Sequence, residues 1–340
     1  MASQSDVARL ANVSFMTVSR VVNGDPRVKP ETRERVQRAI EELRYRPNAA
    51  ARALNRQRSM TIALVLPRMD AALSEPYFSQ LIYHVERALM PLDYSILIVS
   101  GENRGGVDPT LLFDQKKADG VMILGAQIGD PRLEALSARG CPTVLLHARS
   151  ELPGISWVDV DNAAMVDYFV DRLHRLGHRR IAFISGDLSV PNARQRLDAF
   201  RARTETLGLP CGEDLHFPGD WSSGSGFRAF ARFHALEVRP SAVIASNDHM
   251  AIGFLKAAAE SGVSVPDDLS VVGIDDIEMA AYTTPSLTTM RQPLRLIASG
   301  AVEALAAAMD DGSRPASRLV LGAEPVLRES CGPISSVSFS

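Results

Sequence analysis

Apolar residues follow two different periods along the chain. Near the amino terminus Val7, Leu10, Val18, Val21, Val22, Val36, Ile40 and Leu43 recur at three- and four-residue spacing, which predicts short amphipathic helices over 6–11, 15–23 and 30–43 sharing one small core. Asn12-Val13-Ser14 forms the turn between the first two, Ser14 suits an N-cap, and Pro30 suits the first turn of the third. Residues 46–59 are Ala-rich and good helix formers, but too few for an isolated helix in water, so this segment should order only against something else. From Thr61 onward short apolar runs at 62–66, 95–99, 120–124, 143–146, 181–185, 242–245 and 270–274 alternate with amphipathic stretches. That alternation predicts parallel α/β sheets, and seven strands over this length fit two modest sheets better than one large one. The stripe Phe78, Leu81, Ile82, Val85 and Leu89 reads as a helix face turned to the first sheet.

Charge sharpens the division. Residues 1–58 hold twelve Lys/Arg against six Asp/Glu, so within a net charge of -3 the front carries about +6 and the remainder about -9. A basic head on an acidic body is what phosphate neutralisation by one module needs, although a solvated helix face gives a milder version of the same count. Cys141, Cys211 and Cys331 are far apart and form no C-x-x-C or Cys/His pair, and the seven histidines lack metal-ligand spacing, so no disulfide framework, metal or cofactor is expected. The start is polar, and no apolar run approaches the ~18 residues that span a membrane; the expected location is the cytoplasm.

The run Asp6-Val7-Ala8-Arg9-Leu10-Ala11-Asn12-Val13-Ser14, followed by Thr17-Val18-Ser19-Arg20-Val21-Val22-Asn23, is a helix, a tight turn and a second helix whose early residues face outward. Such a unit places its second helix in a DNA major groove. Together with Thr32-Arg33-Glu34-Arg35-Val36 and Tyr45-Arg46-Pro47-Asn48, it closely resembles the headpiece of the LacI family of bacterial repressors. The resemblance implies base-reading positions for Phe15, Met16 and Arg20, and phosphate contacts for Thr17, Ser19 and Asn23. Arg20 can pair bidentately with guanine, whereas Phe15 and Met16 offer only apolar contact such as with a thymine methyl. The alternatives are that Phe15 and Met16 pack within the headpiece and that Arg20 is a solvated charge. The resemblance further implies that the hinge, with Asn48, Ala51 and Leu54, folds as a helix in the minor groove, where the paired leucines of a dimer wedge into the central base step. The alternative is that Leu54 packs on the body. Two positions depart from the family pattern: Gln4 replaces an apolar residue, and Lys29 replaces a capping Ser or Thr.

The body resembles the same family and, more distantly, periplasmic sugar-binding proteins. The matching blocks include Gly177-His178-Arg179-Arg180-Ile181, Ala193-Arg194-Gln195-Arg196-Leu197, Ser246-Asn247-Asp248, Val272-Gly273-Ile274-Asp275-Asp276 and Leu287-Thr288-Thr289. Several lie at or after strand ends, where open α/β sheets bind ligands. The resemblance implies an effector between two Rossmann-like lobes of the type I periplasmic-binding-protein kind, held by Arg196, Asn247 and Asp275 with Trp221 or Phe78 over an apolar face, and with Tyr77 and His147 nearby. Carboxylate, amide and guanidinium groups beside aromatic rings suit a sugar. Asp275 could instead stabilise a turn, and Tyr77 or Phe78 could be ordinary core. His147 stands where many relatives carry Asp, which leaves its role open.

The expected organisation is an all-α helix-turn-helix headpiece over 1–46, a hinge over 47–59, a two-lobed α/β body over 60–330 and a frayed tail over 331–340. Within the body, 60–161 and 292–318 should form one lobe and 162–290 and 319–330 the other, with crossings near 160–162, 290–293 and 318–321. The function expected is a transcriptional regulator, in the repressor sense, that binds a near-palindromic operator as a homodimer under control of a small sugar. An enzyme is disfavoured because Gly224-Ser225-Gly226 lacks the rest of a dinucleotide fingerprint and no Walker loop or nucleophile elbow appears. A secreted binding protein does not explain the basic head. A DNA binder whose body only dimerises stays open, and ligand-dependent operator affinity would separate it from a sensor.

Overall fold

The computed structural model describes residues 2–22, 25–45, 58–67, 76–100 and 107–334. The chain separates into two compact units, with the division between Met60 and Thr61.

The first unit is built from α1 (Gln4–Leu10), α2 (Phe15–Val22) and α3 (Pro30–Glu42). Ser3 and Asp6 close a capping box at the start of α1. The Ser14 hydroxyl accepts from the Thr17 N–H at 3.1 Å and starts α2. Lys29 at the N-cap of α3 makes no side-chain cap bond, and Pro30 follows it. Val7, Ala8, Ala11, Val18, Val21, Val36 and Ala39 are buried together, with Val22, Ile40 and Leu43 packed around them. Leu10, expected in this core, is 45% exposed; the neighbouring Ala8 and Ala11 take the inner positions, because helices this close admit small side chains.

In the second unit, all strands of the larger sheet run parallel in the order β11 (Arg318–Leu321), β5 (Ile155–Val160), β4 (Thr143–Leu146), β3 (Gly120–Leu124), β1 (Thr61–Leu66), β2 (Ser95–Ser100). Along β1, Ile62, Leu64 and Leu66 join one buried cluster while Ala63 and Val65 join another, so both faces are covered. α4 (Pro76–Leu89) packs against the long α11 (Leu294–Asp310), which also lies against β3, β4 and β5; α5 (Pro109–Asp114) and α6 (Pro131–Ala138) pack on each other. A smaller parallel sheet has the order β7 (His216–Pro218), β6 (Ile181–Ser185), β8 (Ala242–Ala245), β9 (Ser270–Val272). Its helices are α7 (Asn162–Arg175), α8 (Pro191–Thr206), α9 (Ser223–His234) and α10 (Asp248–Glu260). Gly226 and Gly253 bring α9 and α10 into backbone contact, since an added Cβ would fall 1.9 Å from Met250 O and 1.8 Å from Ser223 O respectively.

Among the described residues the chain crosses between the sheets three times. Asp161 links β5 to α7, and Gln292-Pro293 link β10 (Thr289–Arg291) to α11. The third crossing was expected at 318–321, with the second lobe beginning at 319. Leu319–Leu321 instead pair with Val158–Val160 in the larger sheet, so the chain crosses after Leu321, into β12 (Glu324–Val326), which runs antiparallel to β10. Asp276 ties these last two crossings together, accepting from Arg291 at 2.7 Å and from Arg328 at 2.6 Å. The tail also differs from expectation over 331–334. Gly332 O accepts from Ser270 Oγ and pairs with His178 Nε2, and Ile334 N–H donates to Leu176 O. Among the described residues no helix is long and apolar enough to cross a membrane.

Candidate nucleic-acid interface and effector site

On α2, Val18 and Val21 turn inward and the opposite side is left to Phe15, Met16 and Arg20. Phe15 is 52% and Met16 61% exposed, so neither packs within the headpiece. Two large apolar side chains at the start of α2 and a cation in its last turn form an exposed apolar and basic surface of the kind that marks an interaction site. Thr17 is half-buried and its hydroxyl shares a 2.9 Å hydrogen bond with Ser14, which commits it to the turn as well. Ser19 is half-buried on the same helix. Asn23, Asn48, Ala51 and Leu54 lie outside the described residues.

In the body, a cavity of about 270 Å³ opens between the sheets at the strand ends. Tyr77, Phe78 and His147 line it from the first lobe; Arg196, Trp221, Asn247 and Asp275 line it from the second. All seven residues singled out from the sequence therefore face one space. Tyr77 and Phe78 also pack against the main core cluster, so they are core residues whose edges reach the cavity.

The arginine organises the second-lobe wall. It is fully buried on α8, donating from Nε to Asn162 Oδ1 at 2.8 Å and from Nη1 to the Ser246 carbonyl, which leaves Nη2 for the cavity. Burial pulls its pKa down, and Asp275 is the strongest of the charges opposing that shift. Its guanidinium carbon lies 5.9 Å from the Trp221 ring centre. The indole rests on Gly186, where a Cβ would fall 2.2 Å from the ring. Asn247 is largely spent on structure: Oδ1 accepts from the Met250 N–H and caps α10, while Nδ2 donates to Trp221 O at 2.9 Å. It thus holds the tryptophan in place.

The first-lobe wall is a buried hydrogen-bonded group. Tyr77 Oη lies 2.6 Å from His147 Nε2 and donates to Gln292 Oε1 at 3.1 Å, and Gln292 Nε2 donates to Asp275 Oδ1 at 2.7 Å. Burial pushes the Tyr77 hydroxyl well above its ordinary pKa and pulls His147 down to about 4, so both are neutral at pH 7. His147, Trp221 and Asp275 all adopt positive φ, at 58°, 72° and 133°. Backbone held in these sparsely populated regions is common where side chains must be aimed at a ligand.

Gln292, Asn192, Asp187, Asp220 and Gln127 also line the cavity and were not identified from the sequence. Gln292 sits in a crossing and the others in loops or a first helical turn, where no periodic pattern marks them. Asn192 Oδ1 is buried without a partner among the described residues, which would have been invisible before folding.

A helix-turn-helix module joined to a two-lobed body with a polar cavity between its lobes defines the class: a DNA-binding transcriptional regulator with a ligand-binding body. Residues 4–48 match the model of bacterial regulatory proteins, lacI family, and residues 170–331 match that of the periplasmic binding protein-like domain. The chain is 33% identical over 337 residues to the ribose operon repressor of Escherichia coli (strain K12), covering 97% of this chain and 99% of that protein. Among solved structures, a complex of the transcriptional regulator CelR with cellobiose aligns at TM-score 0.72 and 32% identity, covering 97% of this chain and all of that one. The lac repressor dimer bound to operator and the anti-inducer ONPF aligns at TM-score 0.85 and 29% identity, covering 97% of this chain and 98% of that one. The chain belongs to the lacI family of bacterial regulatory proteins, whose members are transcriptional regulators and not enzymes.

Proposed function

We propose that this chain is a cytoplasmic repressor whose affinity for its operator is set by a small sugar held between the lobes of the body. The observation that carries this reading is the chemistry of the cavity. Trp221 and Phe78 offer apolar faces to C–H groups, while Asp187, Asp220 and Asp275 offer acceptors and Arg196 offers a donor. A lining with three carboxylates and one guanidinium favours a neutral molecule rich in hydroxyls over an anion. At about 270 Å³ the space sits at the low end of ligand pockets, which favours one sugar ring. Effector contacts are assigned to Tyr77, Phe78, His147, Arg196, Trp221 and Asp275, with Asn247 acting through Trp221.

On the DNA side, Phe15, Met16 and Arg20 read base edges, Thr17, Ser19 and Asn23 meet phosphates, and Asn48, Ala51 and Leu54 of the hinge enter the minor groove. The headpiece is residues 1–46, the hinge 47–59 and the body 60–330. A homodimer on a near-palindromic operator follows from the small number of bases one short headpiece can read. The test is a thermal-shift screen with D-ribose, D-glucose, cellobiose and adenine. A sugar at 100 times its dissociation constant should add ~2.7 kcal/mol of stability. A shift with adenine alone would replace the sugar by a nucleobase.

A further inference from the structure

The wall shared by Asp275, Gln292, Tyr77 and His147 has a direction, set by its one carboxylate. Asp275 accepts from Gln292 Nε2, which turns the amide so that Oε1 faces Tyr77. The Tyr77 hydroxyl donates its single hydrogen to that oxygen. Having no second hydrogen, it accepts from His147 Nε2 at 2.6 Å. The ring is neutral, so a proton on Nε2 leaves none on Nδ1. Nδ1 bonds none of the described residues and is not sealed in the protein interior, and His147 lines the cavity.

We infer that Gln292 and Tyr77 act as positioning residues that lock His147 as its Nε2–H tautomer, and that the bare Nδ1 is a specificity-determining acceptor for a hydroxyl donor on the first-lobe side of the effector. The second half of this inference rests on the sugar reading. An acceptor of this kind requires a donor on the ligand where it meets His147 and penalises one that presents an ether or carbonyl oxygen there, because two acceptors would face each other without a hydrogen.

The tautomer is read by long-range ¹⁵N–¹H correlation on the full chain carrying ¹⁵N-histidine at pH 7 without ligand, with His147 assigned by its absence in His147→Asn. Nδ1 should resonate as an unprotonated ring nitrogen and Nε2 as a protonated one, and Tyr77→Phe should move both toward a mixture. A protonated Nδ1 in the wild type, or an unchanged spectrum in Tyr77→Phe, overturns the relay. The ligand arm uses D-ribose and D-glucose by calorimetry. Asn tolerates the φ of 58° at this position and keeps an acceptor close to the place of Nδ1, so His147→Asn should bind within about threefold of wild type, and His147→Leu about tenfold more weakly. Equal affinities, or equal losses in the two variants, overturn the acceptor role. If the wild type takes up neither, a single-ring sugar on His147 is ruled out and the acceptor role falls with it, while the spectrum decides the relay.

Discussion

His147 ties the chemistry of the cavity to the stability of the body. Burial holds the imidazole at a pKa of about 4, against 6.5 in an unfolded chain, so the unfolded state binds more protons in between. Stability from this group is fully present above about pH 6.5 and is lost as pH falls toward 4. A shift of this size is worth on the order of 2 kcal/mol between pH 8 and pH 5. Urea titrations at those two pH values should therefore show a smaller loss for His147→Asn than for the wild type by about that amount. Identical losses would mean that the ring is charged or solvated in the folded protein. His178, His216 and His249 are also pulled down by burial and remain in both proteins, so the comparison isolates one residue.

Among the headpiece helices, α3 has the clearest defect. Lys29 leaves its first turn without a side-chain cap, whereas Ser3 and Ser14 cap α1 and α2. Lys29→Thr should supply the missing acceptor and stabilise the helix by ~1 kcal/mol, read as about fivefold slower amide exchange at the start of α3 in the full chain. No change in exchange would show that Pro30 alone sets this end. The absent cap was legible in the sequence because capping is local, as were the three helices and the apolar strands. Other features depend on contacts that local patterns do not carry. Leu10 fits the helical period but loses its inner place to alanines. β5 was not expected because Ser156 and Asp159 interrupt its apolar run; both are buried in the sheet, where Asp159 accepts from Arg149 at 2.6 Å and from Val160 N–H. β11 is a four-residue edge strand whose pairing joins positions far apart in the chain. Arg196, Asn247 and Asp275 could be named in advance because family motifs mark them, and Tyr77, Phe78, His147 and Trp221 from the wider resemblance, while Gln292 and Asn192 gain their places only from the crossing and the helix turn that present them.

At the scale of the whole molecule, the account requires that ligand and operator affect each other's binding. A ligand shifts an equilibrium between lobe arrangements only by its differential affinity for them, and the coupling must be equal in both directions. Leu54→Ala should weaken specific binding and reduce DNA bending while leaving non-specific affinity nearly unchanged, because the phosphate contacts remain. Equal losses on operator and random DNA at fixed salt would remove the wedge. The central claim is tested by one titration: an operator selected from genomic DNA by the purified chain, titrated with wild type and Asp275→Ala, each with and without the sugar found in the thermal-shift screen. The account predicts that the sugar changes wild-type operator affinity at least fivefold. It also predicts that Asp275→Ala binds the operator normally without sugar and needs ten- to a hundredfold more sugar to respond, the cost of losing a charged partner, ~1.5–3 kcal/mol. A wild type whose operator affinity ignores a sugar that it binds, or a folded Asp275→Ala that responds at the wild-type concentration, would contradict it.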